Sequence, residues 1–202
     1  DPAGVKPLTT ILGDKKRGYK ERKASCEGLN ILGDTSALPL ILQAANSEFV
    51  SKKHEIDPEA AQLAAVCAVA YGRLGTADTD PEKLQKIPPK PGPDEEDWFA
   101  DIRIQFQSAK DRLAVAKECK SDVACYEKYL TDKDENKAEK AAFMLSRMGK
   151  EGEVALCRHV DSDTESGLAR LIILFGIQKI GGNNPECVAN LDKQIEKDKG
   201  KP

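Results

Sequence analysis

Residues 119–149 read CKSDVACYEKYLTDKDENKAEKAAFMLSRMG, and their pattern decides the fold. Val123 to Leu130 is a short helical segment, and Asp132 and Asp134 make a polar turn. From Asn136 to Met148 a longer helix follows, in which Ala138, Ala141, Ala142, Leu145 and Met148 recur every three or four residues on one face. Gly149 closes it, since glycine accepts the left-handed backbone at a helix end. At an offset of 32 the order repeats: Cys125 falls on Cys157, Phe143 on Phe175, Leu145 on Ile177, and Met148-Gly149 on Ile180-Gly181. The second pair runs from Val154 to Val160 and from Thr164 to Ile180, and a third copy begins at Cys187 in a helix opened by Asn184-Pro185. One helix pair cannot bury its apolar side alone, so the recurrence predicts stacked neighbours sharing an extended core.

Working outward, Asp57-Pro58 starts a helix through Ala61, Leu63, Ala64, Cys67, Val69, Ala70 and Tyr71 that Gly75 stops. Its apolar residues cover more than one face, so it packs on several sides. Leu38 to about Lys53 forms the helix before it, and Asp80-Pro81 starts a short turn through Leu84. Residues 88–93, Pro-Pro-Lys-Pro-Gly-Pro, form a stiff connection. Pro93-Asp94 then opens a long helix lasting to about Cys119, with Ile102, Phe106, Ala109 and Leu113 at helical spacing. Residues 1–33, with prolines at 2 and 7 and a basic run from Lys15 to Lys23, read as irregular. The string Ile-Leu-Gly-Asp occurs at 11–14 and again at 31–34, where each Gly suits a helix end and each Asp a new start; four residues recur this way by chance. The expected division is an irregular segment 1–33, helical pairs 34–87, a linker 88–93 and a helical stack 94–199.

Two turns rich in Asp, each followed by an apolar helix ending in a hydrophobe and Gly, give the chain its resemblance to HEAT-repeat proteins. The matching residues are Asp132, Asp134 and Ala138-Ala141-Ala142-Leu145-Met148-Gly149, then Asp161, Asp163 and Leu168-Leu171-Ile172-Ile180-Gly181, with Arg73-Leu74-Gly75 upstream. The stretch from Cys119 to Tyr126 further resembles exported bacterial HEAT-like proteins, in which such cysteines sit across a tight turn. The match covers roughly residues 119–199 and, more loosely, 34–76. It implies an all-α, right-handed superhelical stack of antiparallel helix pairs whose elongated surface is offered to partners.

Composition narrows the function classes. Of 202 residues, 40% are hydrophobic, 32% charged and only 5% aromatic, which suits helices better than strands. The net charge of −3 is spread along the chain without a basic stripe, so nucleic acid is not an expected partner. No stretch reaches the roughly 18 apolar residues of a membrane span. The chain opens at Asp1-Pro2-Ala3-Gly4 without methionine or leader, as a mature product or trimmed form does, which leaves room for a removed lipid anchor. The even count of six cysteines fits disulfides and an oxidising compartment, although free buried thiols would read the same. With no Asn-x-Ser/Thr acceptor, the expected location is extracytoplasmic, in a bacterial periplasm or on a cell surface.

Candidate sites follow from the rarer residues. Cys119 and Cys125 lie across a turn that can bring their Cα atoms within the roughly 4.4–6.8 Å of a disulfide, against the alternative of free thiols. Cys157 and Cys187 occupy similar places in successive repeats, where stacked helices stand roughly 8–10 Å apart, so pairing needs a shift in register. Cys26 and Cys67 are then left by elimination. A zinc site from Cys157, His159, Cys119 and Cys125 has the right ligand types at the wrong spacings. His54 and His159 adjoin no nucleophile motif and read as surface or capping residues. Asp132-x-Asp134-x-Asn136 and Asp161-x-Asp163-x-Glu165 start like calcium loops, but lack the later glycine and glutamate and read as helix caps. Trp98 and Phe99 follow the acidic run 94–97; exposed, they would be a partner-binding hot spot, and buried, an anchor for the linker. The expected function is a non-enzymatic scaffold or adaptor, monomeric and without cofactor or metal, that binds an unidentified protein. The alternative is a small-ligand or metal-binding protein with a pocket between its two halves.

Overall fold

The computed structural model describes residues 2–50, 56–87, 97–160, 173, 174, 177 and 184–199. The protein is all-helical; among the described residues the one extended contact is an isolated antiparallel bridge between Val50 and Ile56. No described helix is long and apolar enough to cross a membrane. The chain divides into two compact units, Asp1–Ala114 and Val115–Pro202. Their boundary falls inside a long helix, downstream of the proline-rich run 88–93, which itself lies outside the described residues.

The first unit holds α1 (Pro2–Gly13), α2 (Tyr19–Leu32), α3 (Leu38–Ala45), α4 (Pro58–Leu74) and the start of α5 (Asp97–Cys119). The central helix is α4, against which both α2 and α3 pack. Asp57 caps it by accepting from the Glu59 and Ala60 amides at 3.1 Å, with Pro58 in the first helical position. Six alanines keep α4 slim enough to be enclosed, and Ala60, Ala61, Ala64, Ala65, Ala68 and Ala70 are all buried. Gly72 marks the tightest approach: a Cβ there would stand 2.6 Å from the Ala109 Cα on α5.

The irregular reading of residues 1–33 is overturned, because α1 and α2 fill that segment. Pro7 removes only one backbone donor, and packing along α2 outweighs that loss, with Leu12 and Leu29 buried. Both copies of Ile-Leu-Gly-Asp end a helix. In each, the aspartate oxygen accepts from the amide two residues on, Lys16 at 2.9 Å and Ser36 at 2.8 Å. The expected helix to Lys53 stops early, at Ala45. There Asn46 turns outward to donate to the Lys83 carbonyl at 2.8 Å and accept from the Gln85 amide at 2.9 Å, tying the chain to the 3-10 turn Pro81–Lys83. Phe49 is buried beyond that helix end.

The second unit contains the end of α5, then α6 (Val123–Tyr129), α7 (Glu135–Leu145), α8 (Gly149–Arg158) and α9 (Pro185–Lys199). Asp122 caps α6 through the Ala124 and Cys125 amides, and Asp134 caps α7 through Asn136. α8 begins five positions before the expected Val154. Gly149, at φ +61°, turns the chain in a left-handed conformation, and a polar run conceals the helix start. α6 packs on α7 and α8, and α8 on α7 and α9. One core joins Tyr126, Leu130, Leu145, Leu156, Cys157 and Cys187 with the helical residues Ile173 and Ile177. The rest of the long helix expected from Thr164 to Ile180 lies outside the described residues.

Candidate functional site

Three disulfides staple the two units internally. Cys26–Cys67 joins α2 to α4, Cys119–Cys125 closes the α5–α6 corner, and Cys157–Cys187 joins α8 to α9, with Cα separations of 5.4, 5.3 and 4.7 Å. The corner shows how local sequence sets one of them up. Lys120, at φ +53°, ends α5 in the left-handed region, its amide on the Ala116 carbonyl, and Asp122 then caps α6. Cys157 and Cys187 approach far more closely than neighbouring helix axes do. Cα atoms stand about 2.3 Å off each helix axis, so facing residues of neighbouring helices come within disulfide reach and the pairing does not require the expected shift in register.

Contacts between residues 31 to 33 apart connect α6, α8 and α9. Arg158 grips Glu127 across 31 residues with a two-pronged bond, Nε to Oε1 at 3.0 Å and Nη2 to Oε2 at 3.0 Å. His159 Nε2 meets the same carboxylate at 3.2 Å across 32 residues. Asn190 on α9 donates to the Cys157 carbonyl at 3.0 Å across 33 residues. The Arg158 guanidinium is half exposed, so water screens the pair, and its contribution is about 1 kcal/mol or less.

Between α6 and α8 lies a shallow groove of about 580 Å³. Val123, Ala124 and Val154 give it an apolar lining, and Glu127, Lys150, Glu151 and Arg158 give it charges of both signs. The groove can hold the apolar side of a peptide or helix while its charges select orientation. Sequence reasoning missed these residues. Val123 and Val154 read only as members of helical segments, and nothing local shows that they stand partly exposed beside one another.

The residues singled out from sequence fall as follows. Phe99 is 1% exposed, in the core of the first unit with the Arg103 guanidinium 5.9 Å from its ring centroid, so it offers no surface to a partner. The Trp98 side chain, His54 and the turn Asp161–Glu165 lie outside what is described. Asp132 and Asp134 are capping residues, accepting from the amides of Asp134 at 2.8 Å and Asn136 at 3.0 Å. Among the described residues, the one grouping of metal-ligand types is Glu153 with Cys157 and Cys187, and the disulfide consumes both sulfurs. Burial pushes the Tyr126 phenol up to about 12, and its hydroxyl donates to the Lys120 carbonyl at 3.0 Å. Tyr129 is raised chiefly by its hydrogen bond to Glu118, and Tyr71 by burial and then by Asp80. No protein-family model matches the chain, and no curated protein matches it.

Proposed function

We propose that the protein is a non-enzymatic helical-repeat adaptor of an extracytoplasmic compartment, which binds a protein partner along the groove between α6 and α8. The observation that carries this reading is the chain of contacts at separations of 30 to 33 residues linking α6, α8 and α9, with an apolar groove left between two of them. Short helices that stack at a near-constant period, as in the HEAT-like superhelix that the sequence resembles, hold an extended face rigid, and rigid faces bind without an ordering cost. The three disulfides favour an oxidising compartment.

Capture from a bacterial envelope extract tests the reading when it is paired with groove variants. Val154→Glu places a charge in the apolar lining and Lys150→Glu reverses one of the charges beside it. A specific partner is retained by the wild type and by Ile31→Ser, an exposed control in the first unit, and lost from both groove variants. Capture that all four proteins share equally overturns the assignment of the groove.

A further inference from the structure

A cleft of about 620 Å³ opens in the first unit between the α1–α2 turn and the C-terminal end of α3. Among the described residues its charged lining is Lys15, Arg17 and Arg22 against a single carboxylate, Glu48. Arg22 sets its character. The residue is only 9% exposed, and one of its guanidinium nitrogens is occupied: Nε donates to the Leu12 carbonyl at 3.0 Å. Among the described residues neither Nη atom has a hydrogen-bond partner, and no carboxylate pairs with the charge. Arg17 differs, being exposed and held by Glu21 at 3.1 Å and Asp14 at 3.8 Å.

Most of Arg22 is buried while its two Nη atoms open onto the cleft, so the guanidinium presents its charge there in a fixed orientation that suits an anion. Two further features agree. α2, a 14-residue helix, starts at the cleft, and the Tyr19 amide in its first turn has no acceptor among the described residues, whereas the Glu21 carboxylate takes the Gly18 amide at 3.2 Å. Leu40 and Ala44 of α3 form an apolar wall. The volume is that of a small-molecule site rather than of an ion pit.

We propose that this cleft binds a small organic oxyanion, a carboxylate or phosphate on a compact apolar body, through the two free Nη groups of Arg22. The planar fork of those groups matches two oxygens of either head group. Lys15, without an acidic partner among the described residues, adds attraction from the rim, and Leu40 and Ala44 cover the apolar body. The site lies wholly in the first unit and is separate from the groove between α6 and α8.

The test is a two-dimensional amide NMR titration of the full chain with acetate, hexanoate, inorganic phosphate and hexyl phosphate. Saturable shifts are expected at Gly13, Gly18 and Tyr19, with each hexyl probe binding more tightly than its head group alone. A stronger phosphate series identifies a phosphate ligand, and a stronger carboxylate series a carboxylate. Arg22→Lys keeps the charge but loses the fork, and should weaken binding about 10- to 100-fold. Gln43→Glu puts a negative charge in the lining at an exposed residue that makes no hydrogen bond, so the fold is untouched and affinity should fall about tenfold. This second variant decides the matter if Arg22→Lys unfolds the helix pair. Shifts absent with all four probes, confined to other residues, or unchanged in Gln43→Glu overturn the proposal.

Discussion

Lys120 holds φ at +53°, a backbone that glycine adopts freely and a side-chain-bearing residue adopts at a cost of about 1 kcal/mol. Lys120→Gly should therefore raise stability by about 0.5 kcal/mol, the strain relief offset in part by a freer unfolded chain, as read from a denaturant midpoint. Tyr126 beside it governs an alkaline limit. Because burial raises its phenol to about 12 from an unfolded value of 10.0, the neutral form belongs to the folded state. Its contribution is fully present below pH 10 and is lost as pH rises through 12, since the unfolded chain gives up that proton first. Absorbance of tyrosinate in a pH series should show several late-titrating phenols, since Tyr71 and Tyr129 are raised as well, and Tyr126→Phe should remove the component that titrates at about 12 together with unfolding. Caps such as Asp57 and Asp134 were legible in the sequence, since a side-chain oxygen and an amide two or three residues on are a local matter. Arg22 was not, for its place beside the cleft, with Nε on the Leu12 carbonyl, exists only once α1 and α3 pack around it.

At the scale of elements, a sequence shows what its neighbours along the chain dictate and hides what distant packing imposes. The clear helices α4, α6, α7 and α9 each carry an Asp or Asn start signal, three of them with an observed side-chain cap. α1 and α2 carry proline and a basic run instead, and they owe their order to burial of Leu12, Cys26 and Leu29. The groove was illegible because its two walls come from helices about thirty residues apart. The disulfides allow a graded test of how much these junctions contribute. Chain entropy scales with the loop closed, so breaking Cys26–Cys67, 41 residues apart, should cost about 4 kcal/mol. Breaking Cys119–Cys125, only 6 apart, should cost about 2 kcal/mol. Paired Cys→Ser variants compared by thermal or urea unfolding should preserve that order, and an inverted order would mean that native packing rather than loop length dominates.

For the molecule as a whole, each disulfide stays inside one unit, and non-reducing mass spectrometry of the native protein should find no free thiol. Six cysteines allow 15 pairings. The one adopted joins the first to the second, the third to the fourth and the fifth to the sixth. A chain that enters an oxidising space amino end first thus meets each correct partner next, before any later cysteine has arrived to compete. Its maturation calls for a catalyst that merely makes bonds, and not for one that reshuffles them.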